Sequence, residues 1–351
     1  MSMVFKQQTY RTTVGVHTGM SPSRIVHQPQ QPSIWELSVG TSRASCMGCL
    51  NPMCMKFLPG ELRLSDERVN EVPIEIDDYV CPTNAIVWER GKHTPTIVAN
   101  RCINCGICAR RCPSGAIYSD GTSAVIHFGD KEVDFRPSTP ENTEVHERQI
   151  QELLDCPHLG QYCSIDDASI ENVYTKLIDQ KTGIQFPNLI VRNFFLVLGN
   201  RCTIPRRGLV FFRADGIIES KDNFGLIEVE FHNEILEQPR AILDDIAVLH
   251  SRYGIEKNLI KPFIVVLEFP NLRTEYWRVL KDIRAVLDIR IHSLTLGALC
   301  ILTWSFLNVS LESTDFYADI DTPSIRQEIE RLCGKVQLPD IAGRAVFGPT
   351  K

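Results

Sequence analysis

Thirteen cysteines stand in this 351-residue chain, and eight of them, Cys46, Cys49, Cys54, Cys81, Cys102, Cys105, Cys108 and Cys112, fall between positions 46 and 112. The densest run is Cys102-Ile-Asn-Cys105-Gly-Ile-Cys108-Ala-Arg-Arg-Cys112-Pro113. Thiolates are soft ligands, and an odd total with CxxC spacing in a chain lacking a signal-peptide core points to metal or cluster ligation in a reducing compartment. Close spacing lets one tight loop present several thiolates, with Gly106 relieving crowding where the backbone turns. A zinc ribbon assembled from CxxC pairs is the competing chemistry. Cys156, His158 and Cys163 offer a looser set whose spacing does not suit a metal, and Cys202, Cys300 and Cys333 read as buried thiols.

The run has a partner earlier in the chain. Cys81-Pro-Thr-Asn-Ala-Ile-Val repeats Cys112-Pro-Ser-Gly-Ala-Ile-Tyr, and Cys46-Met-Gly-Cys49 with Cys54 supplies three more thiols. On these residues the segment from about 41 to 125 resembles the two-cluster bacterial ferredoxins, whose run is C-x2-C-x2-C-x3-C-P with the fourth cysteine serving the other cluster. The resemblance implies two [4Fe-4S] clusters, one held by Cys102, Cys105, Cys108 and Cys81 and the other by Cys46, Cys49, Cys54 and Cys112. The first copy departs from the family pattern. It reads C-x2-C-x4-C with Pro52 in the wider gap, and 26 residues separate Cys54 from Cys81.

A second constellation is acidic. In RRGLVFFRADGIIESKDNFGLIEVEF, Asp215 ends one expected strand (209–213 and its extension), and Glu228 and Glu230 stand two apart on the next (226–231), so alternation puts both on one face. A turn through 220–225 would bring Asp215 beside Glu228. Carboxylates converging between buried strands repel one another and lose hydration unless a cation joins them. Hard ions such as Mg²⁺ or Mn²⁺ take such oxygens. The plainer alternative is an edge hairpin with carboxylates facing water.

The order helix, strand with Asp, strand with Glu-x-Glu, helix, strand over about 167–305 resembles the restriction-endonuclease-like PD-(D/E)XK nucleases. That resemblance implies Asp215 and Glu228 as metal ligands and catalytic residues, with Glu230 where the family usually has Lys and Ala214 where it usually has Pro. It also suggests Gln238 as an orienting group and Glu171 as a further acidic ligand. The reaction implied is metal-assisted hydrolysis of DNA, with Arg201, Arg206, Arg207 and Arg213 available to phosphates.

These side chains need elements to hold them. Ile170, Val173, Tyr174, Leu177 and Ile178 repeat at helical spacing behind Asp166 or Asp167, a second helix runs from 232 to 253 with Pro239 in its first turn, 262–269 is an apolar strand, and Asn271 can cap a helix bearing Tyr276, Leu280, Ile283 and Leu287. Residues 291–311 hold no formal charge and read as a buried strand pair rather than a membrane span, because Ser, Thr, His and Asn interrupt them. The expected architecture is an α+β ferredoxin-like two-cluster domain followed by an α/β restriction-endonuclease-like domain. The division is a flexible tail (1–40), the cluster domain (41–135), a linker with a helix at 143–154 (136–166) and the nuclease-like domain (167–351), each domain with its own core.

Composition narrows the function classes. At 43% hydrophobic, 23% charged and a net charge of −6, the chain is globular and no wholesale basic nucleic-acid binder; residues 1–170 carry −5 of that balance and 171–351 only −1. No G-x-G-x-x-G, P-loop or zinc-protease motif occurs. Residues 1–35 lack Asp and Glu, a composition shared by disordered tails and organellar import segments. The expected setting is the cytoplasm. Three functions follow: an iron–sulfur protein with a DNA endonuclease domain, an electron-transfer protein docking a redox partner, or a redox-sensing DNA-binding module whose nuclease-like domain is inactive.

Overall fold

The computed structural model describes residues 52–89, 94–112, 117–119, 124–126, 167–180, 183, 185–209, 212–232, 235–305, 307–333, 338 and 344–350. Cys46, Cys49, Cys156, His158, Cys163, the tail and the linker with its helix lie outside these residues.

The duplicated Cys-Pro motifs each lead into a two-stranded antiparallel ribbon. Strands β1 (Ile86–Glu89) and β2 (Thr94–Ile97) follow Cys81, and β3 (Ile117–Ser119) and β4 (Ala124–Ile126) follow Cys112. Ile86 pairs with Ile97 and Ile117 with Ile126, so the two copies share one register. Between them lies the short helix α1 (Ile107–Arg111), which carries Cys108 and is buried along its whole length. The insertion between Cys54 and Cys81 closes on itself. Phe57 N–H donates to the Asp78 carbonyl (2.7 Å), Val80 N–H to that of Met55 (3.0 Å), and Phe57, Leu62, Leu64, Val69 and Val72 fill the loop.

Helices α2 (Asp167–Asp179) and α3 (Phe186–Val197) precede a five-stranded sheet. Its strands β5 (Arg201–Thr203), β6 (Gly216–Glu219) and β7 (Phe224–Glu230) form an antiparallel meander. Helix α4 (Gln238–Tyr253) then crosses to β8 (Ile260–Val266), parallel to β7, and α5 (Glu275–Leu287) crosses to β9 (His292–Thr295), parallel to β8. Helices α6 (Leu296–Trp304) and α7 (Arg326–Leu332) follow. β8 is buried almost throughout, as a strand covered on both faces must be.

Three expectations are corrected. Leu209, Phe212 and Arg213 lie in no strand; the N–H of Arg213 is taken by the Asp245 carboxylate (3.1 Å) instead of a ladder, and the true partner of β7 is the short apolar run Gly216–Glu219. Asp215 therefore precedes its strand instead of ending one. The long helix begins at Gln238, with Pro239 in its first turn, where a missing N–H costs nothing. Among the described residues of 291–311 only His292–Thr295 form a strand, and Leu296–Trp304 is a helix buried on every side. An all-apolar run has no period to read, but Thr295 caps the helix by accepting from Ala298 N–H (3.2 Å).

The two regions also do not bury separate interiors. Their buried side chains form one continuous apolar cluster, from Phe57, Ile103 and Ile107 to Phe194, Leu226, Val265 and Leu302. The insertion makes much of the join: Glu75 N–H donates to Ile204 carbonyl (2.9 Å), Arg206 N–H to Pro73 carbonyl (2.7 Å), and Ser65 N–H and Oγ donate to the Glu219 carboxylate (2.7 and 2.6 Å).

Candidate cluster sites and acidic centre

Cys81, Cys102, Cys105 and Cys108 all line one small, apolar cavity of about 20 Å³ together with Val80, Ile86 and Ile103. The loop that delivers three of them turns through two left-handed residues, Asn104 (φ 58°) and Gly106 (φ 81°). At Gly106 the close neighbour is protein: a Cβ there would lie 2.6 Å from the Trp304 indole, whose Nε1–H donates to the Cys105 carbonyl (3.0 Å). Ala85 N–H donates to Cys81 Sγ (3.1 Å) and Ile107 N–H to the Cys105 sulfur. Such donors suit a charged thiolate. Burial pushes the Cys105 and Cys108 thiols well above the ordinary range, and the neighbouring cysteines push them further: Cys81 and Cys102 act on both, and Cys54 on Cys108.

Four converging sulfurs, of which Cys105 and Cys108 resist ionisation alone, fit a cationic iron core, which deprotonates its thiol ligands outright. Among the described residues no three His, Cys, Asp or Glu side chains close on a point suited to a single ion. A cubane holds its thiolates wider apart than one ion does, so that spacing is compatible with a cluster.

Cys54 and Cys112, expected on the second cluster, are both buried. Cys54 itself lies in a turn in which Met55 N–H donates to Pro52 carbonyl (2.9 Å). Arg111, beside Cys112, fixes that turn. Its Nε donates to the Met53 carbonyl (3.0 Å), its guanidinium pairs with Glu61 (2.7 and 3.1 Å), and it lies over the Phe57 ring (4.5 Å). Its neighbour Arg110 faces the other way. Nε donates to Val197 carbonyl (2.6 Å) and Nη2 to Leu307 carbonyl (2.6 Å) and Asn308 Oδ1 (3.1 Å).

The acidic residues meet at the far end of the β6–β7 hairpin. Asp215 N–H donates to the Ile227 carbonyl (3.0 Å), extending the ladder by one step and setting Asp215 beside Glu228. The Asp215 carboxylate accepts from Val229 N–H (2.8 Å) and from Asn188 Nδ2 on α3 (2.5 Å). Glu228, 6% exposed, shares hydrogen bonds with Asp215 and with Asp245, itself 4% exposed on α4. Burial first, then the Asp215 charge, raises Glu228 far above the usual carboxylate range; burial also raises Asp215 and Asp245, and the donors Val229 and Asn188 moderate the rise at Asp215. Glu228 is thus the member that keeps its proton. Glu230 accepts from His232 N–H (2.5 Å) and Gln238 Nε2 (3.2 Å). Gln238 and Asp245 both belong to α4, so the two glutamates share the α4 side of the sheet.

The donor set has the oxygen chemistry that a hard divalent cation takes, three carboxyl groups within hydrogen-bonding reach, but the three do not close on a point suited to a single ion. Its present arrangement is a proton-sharing one, and an ion would have to replace the Glu228 proton. Asp245 has a sequence signal of its own: with Ile242, Ile246 and Leu249 it occupies the apolar face of α4, where a lone carboxylate needs a partner. Glu171 is not at this centre. It pairs with Arg344 (2.6 and 2.8 Å), which also holds Glu268 (2.5 Å). Arg201 lies 3.8 Å from Glu219, whereas Arg206, Arg207 and Arg213 are exposed.

Comparison with known proteins bears on the sulfur site. Residues 78–116, which contain Cys81, Cys102, Cys105, Cys108 and Cys112, match the 4Fe-4S dicluster domain family. The chain therefore carries an iron–sulfur domain of ferredoxin type. Over 106 residues it is 32% identical to an uncharacterized ferredoxin of Methanocaldococcus jannaschii, an alignment taking in 28% of this chain and 59% of that protein's length. The restriction endonuclease FokI is similar in structure over 57% of this chain and 37% of its own, at 12% identity and a TM-score of 0.31, a likeness too slight to bear on fold or activity. Among the described residues no helix is long and apolar enough to cross a membrane.

Proposed function

We propose that this iron–sulfur protein holds two [4Fe-4S] clusters, with Cys81, Cys102, Cys105 and Cys108 on one and Cys46, Cys49, Cys54 and Cys112 on the other, and that its acidic centre makes it a DNA endonuclease dependent on Mg²⁺ or Mn²⁺. The observation that carries the second part is the meeting of Asp215 and Glu228 across the β6–β7 hairpin, backed by Asp245. The helix, meander, helix, parallel strand order of 186–266 supports it as the arrangement expected of a restriction-endonuclease-like domain.

Asp215 and Glu228 are the residues that would hold the ion. When bound, the ion supplies Lewis acidity at a phosphate oxygen and eases ionisation of a water. Asn188 and Val229 N–H fix the Asp215 carboxylate so that it does not rotate away. Glu230, oriented by Gln238, would accept a proton from an attacking water. Exposed Arg206, Arg207 and Arg213 supply charge for DNA phosphates.

The test is anaerobically purified protein, incubated with supercoiled plasmid and either ion. Nicking that needs the cation and disappears in Asp215→Ala is the expected result. Intact plasmid from cluster-loaded protein, or full cleavage by Asp215→Ala, overturns the endonuclease. Reversible cluster reduction in a protein that does not cleave would favour electron transfer to a docked redox partner. One observation already leans that way: Cys81 is the half-buried ligand, and Thr83 beside it lines both the sulfur cavity and an open cleft bearing Arg101 and Arg207.

A further inference from the structure

Helix α3 touches both centres with polar side chains that have no reason to sit on an apolar helix unless they hold something. Near its start Asn188 donates to Asp215 Oδ1 (2.5 Å). One and a half turns later Asn193, fully buried, donates to the carbonyls of Tyr79 (3.0 Å) and Val80 (3.1 Å), the two residues before Cys81. At its end the Val197 carbonyl accepts from Arg110 Nε (2.6 Å), and Arg110 lies between Cys108 and Cys112 on α1. Apart from Pro187 and the buried Arg192, whose Nε and Nη2 donate to Asn193 Oδ1 (3.0 and 2.9 Å), the rest of the helix surface is Phe, Leu, Ile and Val packed into the shared core. Helix α6 adds a second grip through Trp304 on the Cys105 carbonyl.

We infer that α3 is a rigid coupler: the sulfur loop positions α3 through Asn193 and the Val197 carbonyl, and α3 positions Asp215 through Asn188, so that emptying the cluster site formed by Cys81, Cys102, Cys105 and Cys108 loosens the acidic centre. Asn188 and Asn193 are positioning residues in this device. The physical basis is that packed elements move as units, so displacing one end of a short, buried helix is felt at its other end. An empty sulfur site leaves four thiols in an apolar cavity without the core that ties Cys81 to the 102–108 loop. The backbone at 79–81 is then free to shift, and Asn193 goes with it. The inference rests on the acidic centre being the functional one, but its readout does not depend on cleavage.

That readout is the amide of Val229, which donates to Asp215 Oδ2 and whose hydrogen exchange reports where Asp215 is. Exchange is measured by mass spectrometry on cluster-loaded protein, on protein stripped by a chelator, and on cluster-loaded Asn188→Ala and Asn193→Ala, with visible absorbance confirming the clusters. Stripping is expected to speed exchange at Val229 about tenfold, the scale of one weakened buried hydrogen bond, while amides of the β8–β9 ladder keep their protection. Asn193→Ala is expected to do the same with its clusters still in place. In Asn188→Ala, Val229 is already fast, and stripping adds little, the non-additivity of a single chain of contacts. Unchanged Val229 exchange in loaded Asn193→Ala overturns the coupler, as does full additivity of stripping and Asn188→Ala. Should stripping unfold the entire chain, with β9 exposed as well, the loaded Asn193→Ala variant decides alone. A protein that couples but does not cleave sinks only the endonuclease.

Discussion

A single proton explains how three carboxyl groups share the end of a buried hairpin. Glu228 is held in its acid form by burial and by the charge of Asp215, so the folded protein keeps a proton that the unfolded chain releases near the ordinary glutamate value of 4.5. Between that value and the raised folded one, the folded state binds more protons than the unfolded state, and stability must fall as pH rises. The penalty is absent below 4.5 and grows through neutrality. Glu228→Gln keeps the shape and both hydrogen-bonding functions of a neutral carboxyl while deleting the titration. Thermal melts should place Glu228→Gln several degrees above the parent at pH 8, with the gap closing by about pH 4.5. Equal melting temperatures at pH 8 would mean that Glu228 is ionised in the fold.

How far the sequence spoke differs from residue to residue. The iron–sulfur domain was legible because thiol spacing is itself the chemistry, and the pairing of Asp215 with Glu228 followed from a turn and a period of two. Asp245 was hidden because its partner lies elsewhere in the chain, although its place on the apolar face of α4 was a signal. Asn188 and Asn193 were hidden for the same reason: only a folded chain shows what a polar group on a buried helix holds.

At the scale of elements, α1 is a five-residue helix whose last two side chains point to different neighbours. Arg110 is bonded to α3 and to residues 307–308, and Arg111 to the turn carrying Cys54, both with no exposed surface. A buried guanidinium bonded to carbonyls and a carboxylate cannot be removed cheaply: breaking such an arrangement costs about 3 kcal/mol or more, largely because the partners are left bare. The two substitutions should therefore fail differently. Arg111→Met releases the Cys54 turn and Glu61, so iron content should fall to about half, with the cluster at Cys81, Cys102, Cys105 and Cys108 retained. Arg110→Met spares that turn and should lower thermal stability without halving the iron. Iron assay with Mössbauer spectroscopy checks both; loss of all iron from Arg111→Met would show that the two clusters assemble only together. The elements misread from sequence were those where local pattern was silent. Leu296–Trp304 is apolar on every side, and Arg213, the end of the 209–213 run, gives its N–H to a side chain of α4 rather than to a neighbouring strand.

The whole molecule is organised by the join between the sulfur region and the sheet. Composition and length suggested two cores, but the interior is continuous, and the contacts across it are of the kind that do not slide: backbone hydrogen bonds at Glu75–Ile204 and Pro73–Arg206, the buried Arg110 clamp, and the indole of Trp304 against Gly106. Two regions that share a core and several buried hydrogen bonds should open as one cooperative unit. Iron bound only by the folded sulfur loop adds its binding free energy to that unit, since the unfolded chain cannot assemble the site. Anaerobic calorimetry of the cluster-loaded protein should thus show one transition, with tryptophan fluorescence (dominated by buried Trp277 and Trp304 among the described residues) and cluster absorbance lost at the same temperature. Removing iron should move the fluorescence transition down, because the sheet region loses the surface it packs against. Two separated transitions, or a fluorescence midpoint indifferent to iron, would mean that the shared interior is a contact between independent domains and carries no common stability.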